Sequence, residues 1–350
     1  MNSTRVMPAE WAPQSAVMLT WPHPGTDWYQ RLEEVEPVFM NIATAVLRRQ
    51  HLIISCEHVF RAQQLGDDLN RLASEQQWPG RVISVPAPAN DTWARDHGPL
   101  AVDTPEGMRL LDFRFNAWGG KFPWEKDNAL NRHLANAGAF GATPMDAVDF
   151  VLEGGSVESD GQGTVMATSE CLMTPSRNPE FDRTAIEALM NETLGVQRIL
   201  WLNHGYLAGD DTDSHIDTLA LFCAPDHICY VRCDDTADEH WQALNAMEEE
   251  LRQFRQTDGT PYRLTALPWP DAIYDSDGER LPATYANFLI INGAVLVPVY
   301  DVPQDQQTLA ILAEIFSDRE IVAINCRPLI AQHGSLHCVT MQIPAGVVQP

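Results

Sequence analysis

The amino-acid sequence predicts an α/β fold of repeated strand-helix-strand modules, and three patterns carry that reading. Apolar residues recur at helical spacing over 33–49, 181–194, 238–254 and 305–316. Short apolar stretches of strand type lie between and before them, at 17–20, 52–55, 82–85, 109–113, 164–167, 219–223, 228–231, 262–266, 287–291, 294–299 and 320–324. Boundaries from polar to strand-like sequence recur near Ser15, Asn90, Glu153, Ser214, Thr284 and Gly334. Their steps of roughly 50 to 75 residues mark about five modules. If those modules close radially, as propeller blades do, loops from remote parts of the chain meet at one central mouth.

The alternation is not that of a dinucleotide-binding fold, because no GxGxxG stands between a strand and its helix. The glycine-rich run EGGSVESDGQG at 153–163 also lacks the Lys-Ser/Thr end of a phosphate loop. With 350 residues at 45% hydrophobic composition, the chain is long enough for one elaborate domain or two ordinary ones. Its 23 Lys and Arg stand against 48 Asp and Glu, for a formal charge of -25. Such a surface repels nucleic acid and anionic membrane, whereas a concave acidic site concentrates a small cation. No apolar run reaches transmembrane length, and residues 1–16 lack the basic start and apolar stretch of a secretory signal, so a cytoplasmic location is expected. Seven cysteines form neither a dense disulfide pattern nor paired CxxC knuckles.

Four polar segments are candidates for chemistry. In GSLHCVTMQ, 334–342, a glycine-flanked strand carries Cys338 near its start, the setting of a nucleophilic thiol; alternation turns His337 away from it. In NDTWARDHGP, 90–99, Asp91 and Asp96 flank Trp93, and two carboxylates around an aromatic face suit a cation. In LEGGSVESDG, 152–161, Glu153 precedes two glycines that let its carboxylate face a ligand, while Glu158 and Asp160 read as hairpin decoration. In HIDTLALF, strand alternation puts His215 and Asp217 on one side, a base and an acid aimed at one substrate. No EF-hand loop and no HExxH occurs, so no metal is expected.

Together WARDHGP, FNAWGGKF (115–122), LEGGSVESDG, DDTDSHID, PATYANFLI (282–290) and GSLHCVTMQ resemble the agmatine deiminase family, within the guanidine-modifying enzymes that include bacterial peptidyl-arginine deiminases. The resemblance covers nearly the whole chain and implies one catalytic domain, 1–350, folded as a five-bladed pseudosymmetric α/β propeller (the pentein fold). It places the family's nucleophile on Cys338, its histidine on His215 and its guanidinium-binding acids on Asp96, Glu153 and Asp217. Trp93 matches an active-site aromatic, and Asn287 a polar residue near the nucleophile loop. The nucleophile segment departs from the more glycine-rich GGGNIHCITQQ of many agmatine enzymes, which leaves room for a related guanidine substrate.

The chemistry so implied needs no metal or organic cofactor. Carboxylates orient the planar guanidinium, Cys338 attacks its carbon, and His215 serves the leaving nitrogen and then water. Agmatine would give N-carbamoylputrescine and ammonia. Deimination of free or peptidyl arginine is the enzymatic alternative and needs a donor for the carboxylate or amide, for which Arg95 and Lys121 are candidates. A silent guanidinium-binding protein is the non-enzymatic alternative, and a homodimer is compatible with the sequence.

Overall fold

The computed structural model describes residues 5–349; residues 1–4 of the 1–16 segment read above lie outside them. The chain opens with strand β1 (Gln14–Thr20), a helix over Leu32–Leu47, β2 (His51–Cys56), a helix over Val59–Glu75 and β3 (Val82–Pro86). Four modules of one pattern follow, each an antiparallel strand pair, a helical connection and a third strand parallel to the second. They comprise β4 (Leu100–Thr104), β5 (Gly107–Arg114) and β6 (Met145–Val151); β7 (Glu158–Ser159), β8 (Thr164–Thr168) and β9 (Arg198–Leu202); β10 (Ala220–Ala224), β11 (His227–Val231) and β12 (Arg263–Leu267); and β13 (Leu289–Ile291), β14 (Ala294–Val299) and β15 (Glu320–Asn325). The last strand, β16 (Thr340–Pro344), returns to pair antiparallel with β1, so the first blade is built from both ends of the chain. Five separate sheets result, the five-bladed α/β arrangement that the sequence rhythm suggests.

Alternation along β1 shows how a blade is held. Val17 and Leu19 enter one core cluster with Leu52 and Ile54 of β2 and with Val38, Phe39, Ile42 and Val46 of the 32–47 helix. Ala16 and Met18 face the other way, into a second cluster with Ile53 and Met341. A strand buried on both faces must be apolar without a break, which is why VML and LII read as continuous runs. A third cluster, around Phe222, Ile228 and Met247, serves the fourth blade.

Several elements differ from the sequence reading. The helix over Val59–Glu75 is not among the expected ones, because its buried stripe of Ala62, Leu65, Leu69 and Ala73 is diluted by polar residues and interrupted by Gly66. That glycine lies against Ser84 of β3, where an added Cβ would sit 3.1 Å from the serine Cβ. HIDTLALF is not a strand throughout: Ile216–Thr218 forms a 3-10 turn and β10 starts at Ala220. Likewise, residues 336–339 of GSLHCVTMQ are a turn and β16 starts at Thr340. Period-two reasoning therefore fails for both His215 and Cys338, which stand in turns that precede their strands.

Candidate active site

These turns are the key to the site, because each of the five blades has one before the strand that opens it. Asp96 stands in the helical turn Ala94–His97 before β4, and Glu153 caps the 3-10 turn Gly154–Ser156 before β7. His215 and Asp217 come from the turn before β10, Asn287 from the bend before β13, and Cys338 from the turn before β16. The turns crowd one another at the centre. A Cβ on Gly155 would come within 2.7 Å of His215 Nδ1 and 2.8 Å of Asp96 Oδ1, and one on Gly154 within 2.2 Å of the Arg95 carbonyl oxygen. The two glycines after Glu153 thus serve close approach between turns.

Cys338 lies 6% exposed at the base of a cavity of about 280 Å³. Its Sγ is 3.9 Å from Asp217 Oδ2 and 3.3 Å from the Asn287 amide nitrogen. Asn287 also accepts from the backbone N–H of His337 at 2.9 Å through Oδ1 and donates to the Asp217 carbonyl, so it ties the nucleophile turn to the His215 turn. Burial, with the charges of Asp217 and Asp96, pushes the Cys338 thiol well above its ordinary range, and in the empty site the sulfur holds its proton.

His215 is fully buried, with Nδ1 3.6 Å from Asp96 Oδ1 and Nε2 3.8 Å from Glu153 Oε2. Burial disfavours its imidazolium, yet Asp96, the Cys171 sulfur and Glu153 outweigh that and hold it well above the usual histidine range. Asp96 is raised to about 6, chiefly by burial and then by Asp217 and Glu153, with His215 opposing. Its Oδ2 accepts from Trp118 Nε1 at 2.9 Å and its Oδ1 from the Gly155 N–H at 3.1 Å. Trp118 reaches it from a strained turn in which Ala117 and Trp118 both have positive φ, near 50°.

Glu153 has a first partner that sequence reading misses. Arg177 Nε lies 2.9 Å from both Glu153 oxygens, and its Nη1 reaches Asp213 Oδ2 at 2.6 Å. Burial alone would raise Glu153; His215 and Arg177 hold it below the usual carboxylate range. Arg177 is the sole Lys or Arg across residues 133–182, a signal that could have drawn attention to it. Glu153, Cys171 and His215 each bring a donor atom within 4.8 Å of the others, the spacing of a metal centre. The guanidinium already on Glu153 makes this donor set an ionic network.

Among the expected site residues, Asp91, Trp93, Asp96 and Cys338 line the cavity, while His215, Glu153, Asp217 and Asn287 lie buried around its base. The walls add Phe115, Trp118 and the carboxylates of Asp27, Asp127, Asp210 and Asp211, and among the described residues include no Lys or Arg. Burial raises Asp91 to about 7 and Asp127 to about 8. Arg95 and Lys121, the donors suggested for an arginine carboxylate, do not face this space. Arg95 pairs with Glu10 and Gln342 beneath the site, and Lys121 binds Asp213 and the Asp211 carbonyl. Three other expectations need correction or refinement. His337 does not turn away; its Nδ1 is 2.7 Å from Asp217 Oδ2. Glu158 is buried and accepts from the Phe222 N–H at 3.1 Å, whereas Asp160 does cap its hairpin, accepting from Gln162 and Thr164.

Residues 6–344 match the family model described as Porphyromonas-type peptidyl-arginine deiminase. The agmatine deiminase of Stutzerimonas stutzeri is 32% identical over 368 aligned residues, covering 98% of this chain and 96% of that one. Among solved structures, an agmatine deiminase of C. jejuni with substrate bound superposes with TM-score 0.89 at 33% identity, covering 98% and 97% of the two chains. A Porphyromonas gingivalis structure provisionally designated an arginine deiminase gives 0.90 at 50% identity, covering 99% and 100%. No described helix is long and apolar enough to cross a membrane.

Proposed function

This chain belongs to the bacterial peptidyl-arginine and agmatine deiminase family, and from that premise we propose that it hydrolyses agmatine to N-carbamoylputrescine and ammonia. The observation that carries the choice of substrate is the cavity wall, with six aspartates and no Lys or Arg among the described residues. Agmatine is a dication, with a guanidinium at one end and an ammonium at the other. Both ends gain from such a wall, while the carboxylate of free arginine would face like charge without a donor.

In this reading the guanidinium enters toward Cys338 and is gripped by Asp96 and by Oδ1 of Asp217, a buried oxygen with no partner among the described residues. The cation's own charge lowers the thiol pKa, so Cys338 gives up its proton to solvent as the guanidinium binds and attacks as the thiolate. Sγ forms a bond to the guanidinium carbon, and the tetrahedral centre collapses as one C–N bond breaks. His215, held as an imidazolium by Asp96 and Glu153, gives its proton to the departing nitrogen, which leaves as ammonia. The resulting S-alkylthiouronium is attacked by water, which loses a proton to the now neutral His215. The C–S bond breaks, and the ureido product and a free thiol remain. Glu153, engaged by Arg177, sustains the charge on His215 through this cycle.

Deimination of free or peptidyl arginine is the second reading, favoured by the 50% identity to the Porphyromonas gingivalis structure. Side-by-side kcat/KM values for agmatine, free arginine and an arginine peptide, with ammonia and ureido product both measured, decide between the two. Agmatine is expected to lead by about 10²-fold or more, since a missing charge partner costs at least that much. Comparable or faster turnover of either arginine substrate would replace this assignment.

A further inference from the structure

Beneath the site Asp217 opens a chain of alternating charge whose further members, His337, Glu10 and Arg95, the deimination steps do not use. Asp217 Oδ2 meets His337 Nδ1 at 2.7 Å, and His337 Nε2 meets Glu10 Oε1 at 2.7 Å. Glu10 also accepts from Arg95 Nη1 at 3.1 Å and Gln342 Nε2 at 2.8 Å. A neutral imidazole has one N–H, and here each ring nitrogen faces a carboxylate oxygen, so the neutral ring would turn a lone pair on one of them. Only the imidazolium satisfies both. His337 is 1% exposed, and among the described residues no other titratable side chain is hydrogen-bonded to it. Arg95 disfavours its charge, Asp217 and Glu10 favour it, Cys338 adjoins it in the same turn, and Glu158 stands behind Glu10.

The geometry points to His337 as a positioning residue: we infer that, as a fixed imidazolium tethered by Glu10, it occupies Oδ2 of Asp217 and so presents Oδ1 to the substrate guanidinium. Two features make the tether specific. Asp217 Oδ1 is buried without a partner among the described residues, the state of a carboxylate held half-satisfied for a ligand. Glu10 approaches from the N-terminal segment, 327 residues away in sequence, and is itself held by Arg95 and Gln342; against the opposing effect of burial, His337 first, then Arg95 and Gln342, pull its carboxyl down to about 2. The inference rests on the guanidine-hydrolase reading above and adds that loss of the Nδ1 proton from His337 releases Oδ2 of Asp217 and weakens its grip.

Three variants test it by kcat, KM and pH profile. His337→Ala is expected to raise KM by about 10- to 100-fold, because an orientation shared by binding and reaction is lost. His337→Asn, whose side-chain N–H can replace Nδ1, is expected to recover part of that KM while abolishing the basic limb that belongs to His337. Glu10→Gln keeps the ring but removes the charge behind it, and the basic limb is expected to move down by roughly one pH unit. A parallel readout needs no turnover: alkylation of Cys338 by 2-chloroacetamidine, in which the sulfur displaces chloride, against the neutral iodoacetamide, in which it displaces iodide. The ratio of the two rates is expected to fall about 10-fold in His337→Ala, since only the amidinium needs the carboxylate grip. If wild-type protein turned over no guanidine, the substrate reading would fail while this ratio still judged His337. Unchanged ratio, KM and pH limb in Glu10→Gln and His337→Asn would overturn the inference. So would ¹⁵N spectra showing His337 neutral at pH 7, a measurement independent of whether His337→Ala folds.

Discussion

The floor of the site and its mouth are both rich in acid, yet they treat charge in opposite ways. On the floor Glu153 has Arg177 and His215, Asp217 has His337, and Glu10 has His337 and Arg95, so each of these carboxylates faces a cation or an imidazole. At the mouth Asp27, Asp91, Asp127, Asp210 and Asp211 line the cavity, and none forms an ion pair with Lys or Arg among the described residues. Paired buried charges hold geometry, whereas unpaired ones store an unfavourable interaction that a cationic ligand relieves. The fold has made the floor rigid and left the entrance electrostatically unsatisfied.

The largest test stands where the two regions meet. Cys338→Ala is expected to lower turnover by about 10⁴-fold or more while leaving thermal stability nearly unchanged. Ammonia release and a melting curve measure both, and retained turnover would move the nucleophile elsewhere. Within the floor, Arg177→Met leaves Glu153 and Asp213 without their guanidinium, and a loss of about 3–5 kcal/mol is expected in urea unfolding. An unfolding midpoint equal to wild type would show that the floor pairs do not hold the structure.

The mouth should respond with the opposite sign. Asp91 at about 7 and Asp127 at about 8 titrate far above an unfolded aspartate, so the folded state keeps protons that the unfolded chain releases. Their contribution to stability is therefore lost as pH rises from about 4 through 7 to 8. The raised His215 and His337 act in the same direction above about 6.5, whereas lowered Glu10 loses its contribution only as pH falls from about 4.5 toward 2. Asp91→Asn isolates the mouth: at pH 8 its Tm is expected to exceed wild type by roughly 2 °C, while KM for agmatine rises several-fold. A lower Tm together with an unchanged KM would make Asp91 a structural acid like those below it.

The same division explains what could be read from the sequence. Blades were legible because short strands buried on both faces leave apolar runs such as LII and VLV, and five of the six polar boundaries, all but Ser15 within β1, fall close to the five turns. The motif residues lining the cavity, Asp91, Trp93 and Asp96, were visible because a local segment carries them together. The floor was not. Glu10 and His337 meet across 327 residues, and no periodicity announces such a pair. His337 escapes a reading by alternation because it stands in a turn: with β16 starting at Thr340, adjacent side chains at 337 and 338 both reach Asp217. Arg95 looks like a substrate ligand from its neighbours in sequence, yet its guanidinium lies in the floor.

A covalent bond between substrate carbon and the Cys338 sulfur is the step on which the proposed mechanism turns. Acid-quenched turnover of agmatine, digested and read by mass spectrometry, tests that directly. A transient thiouronium adduct is expected on the peptide that contains Cys338 and on no other cysteine peptide. Steady turnover with Cys338 unmodified at every quench time, including in a His215→Ala variant expected to slow hydrolysis of the adduct, would contradict it.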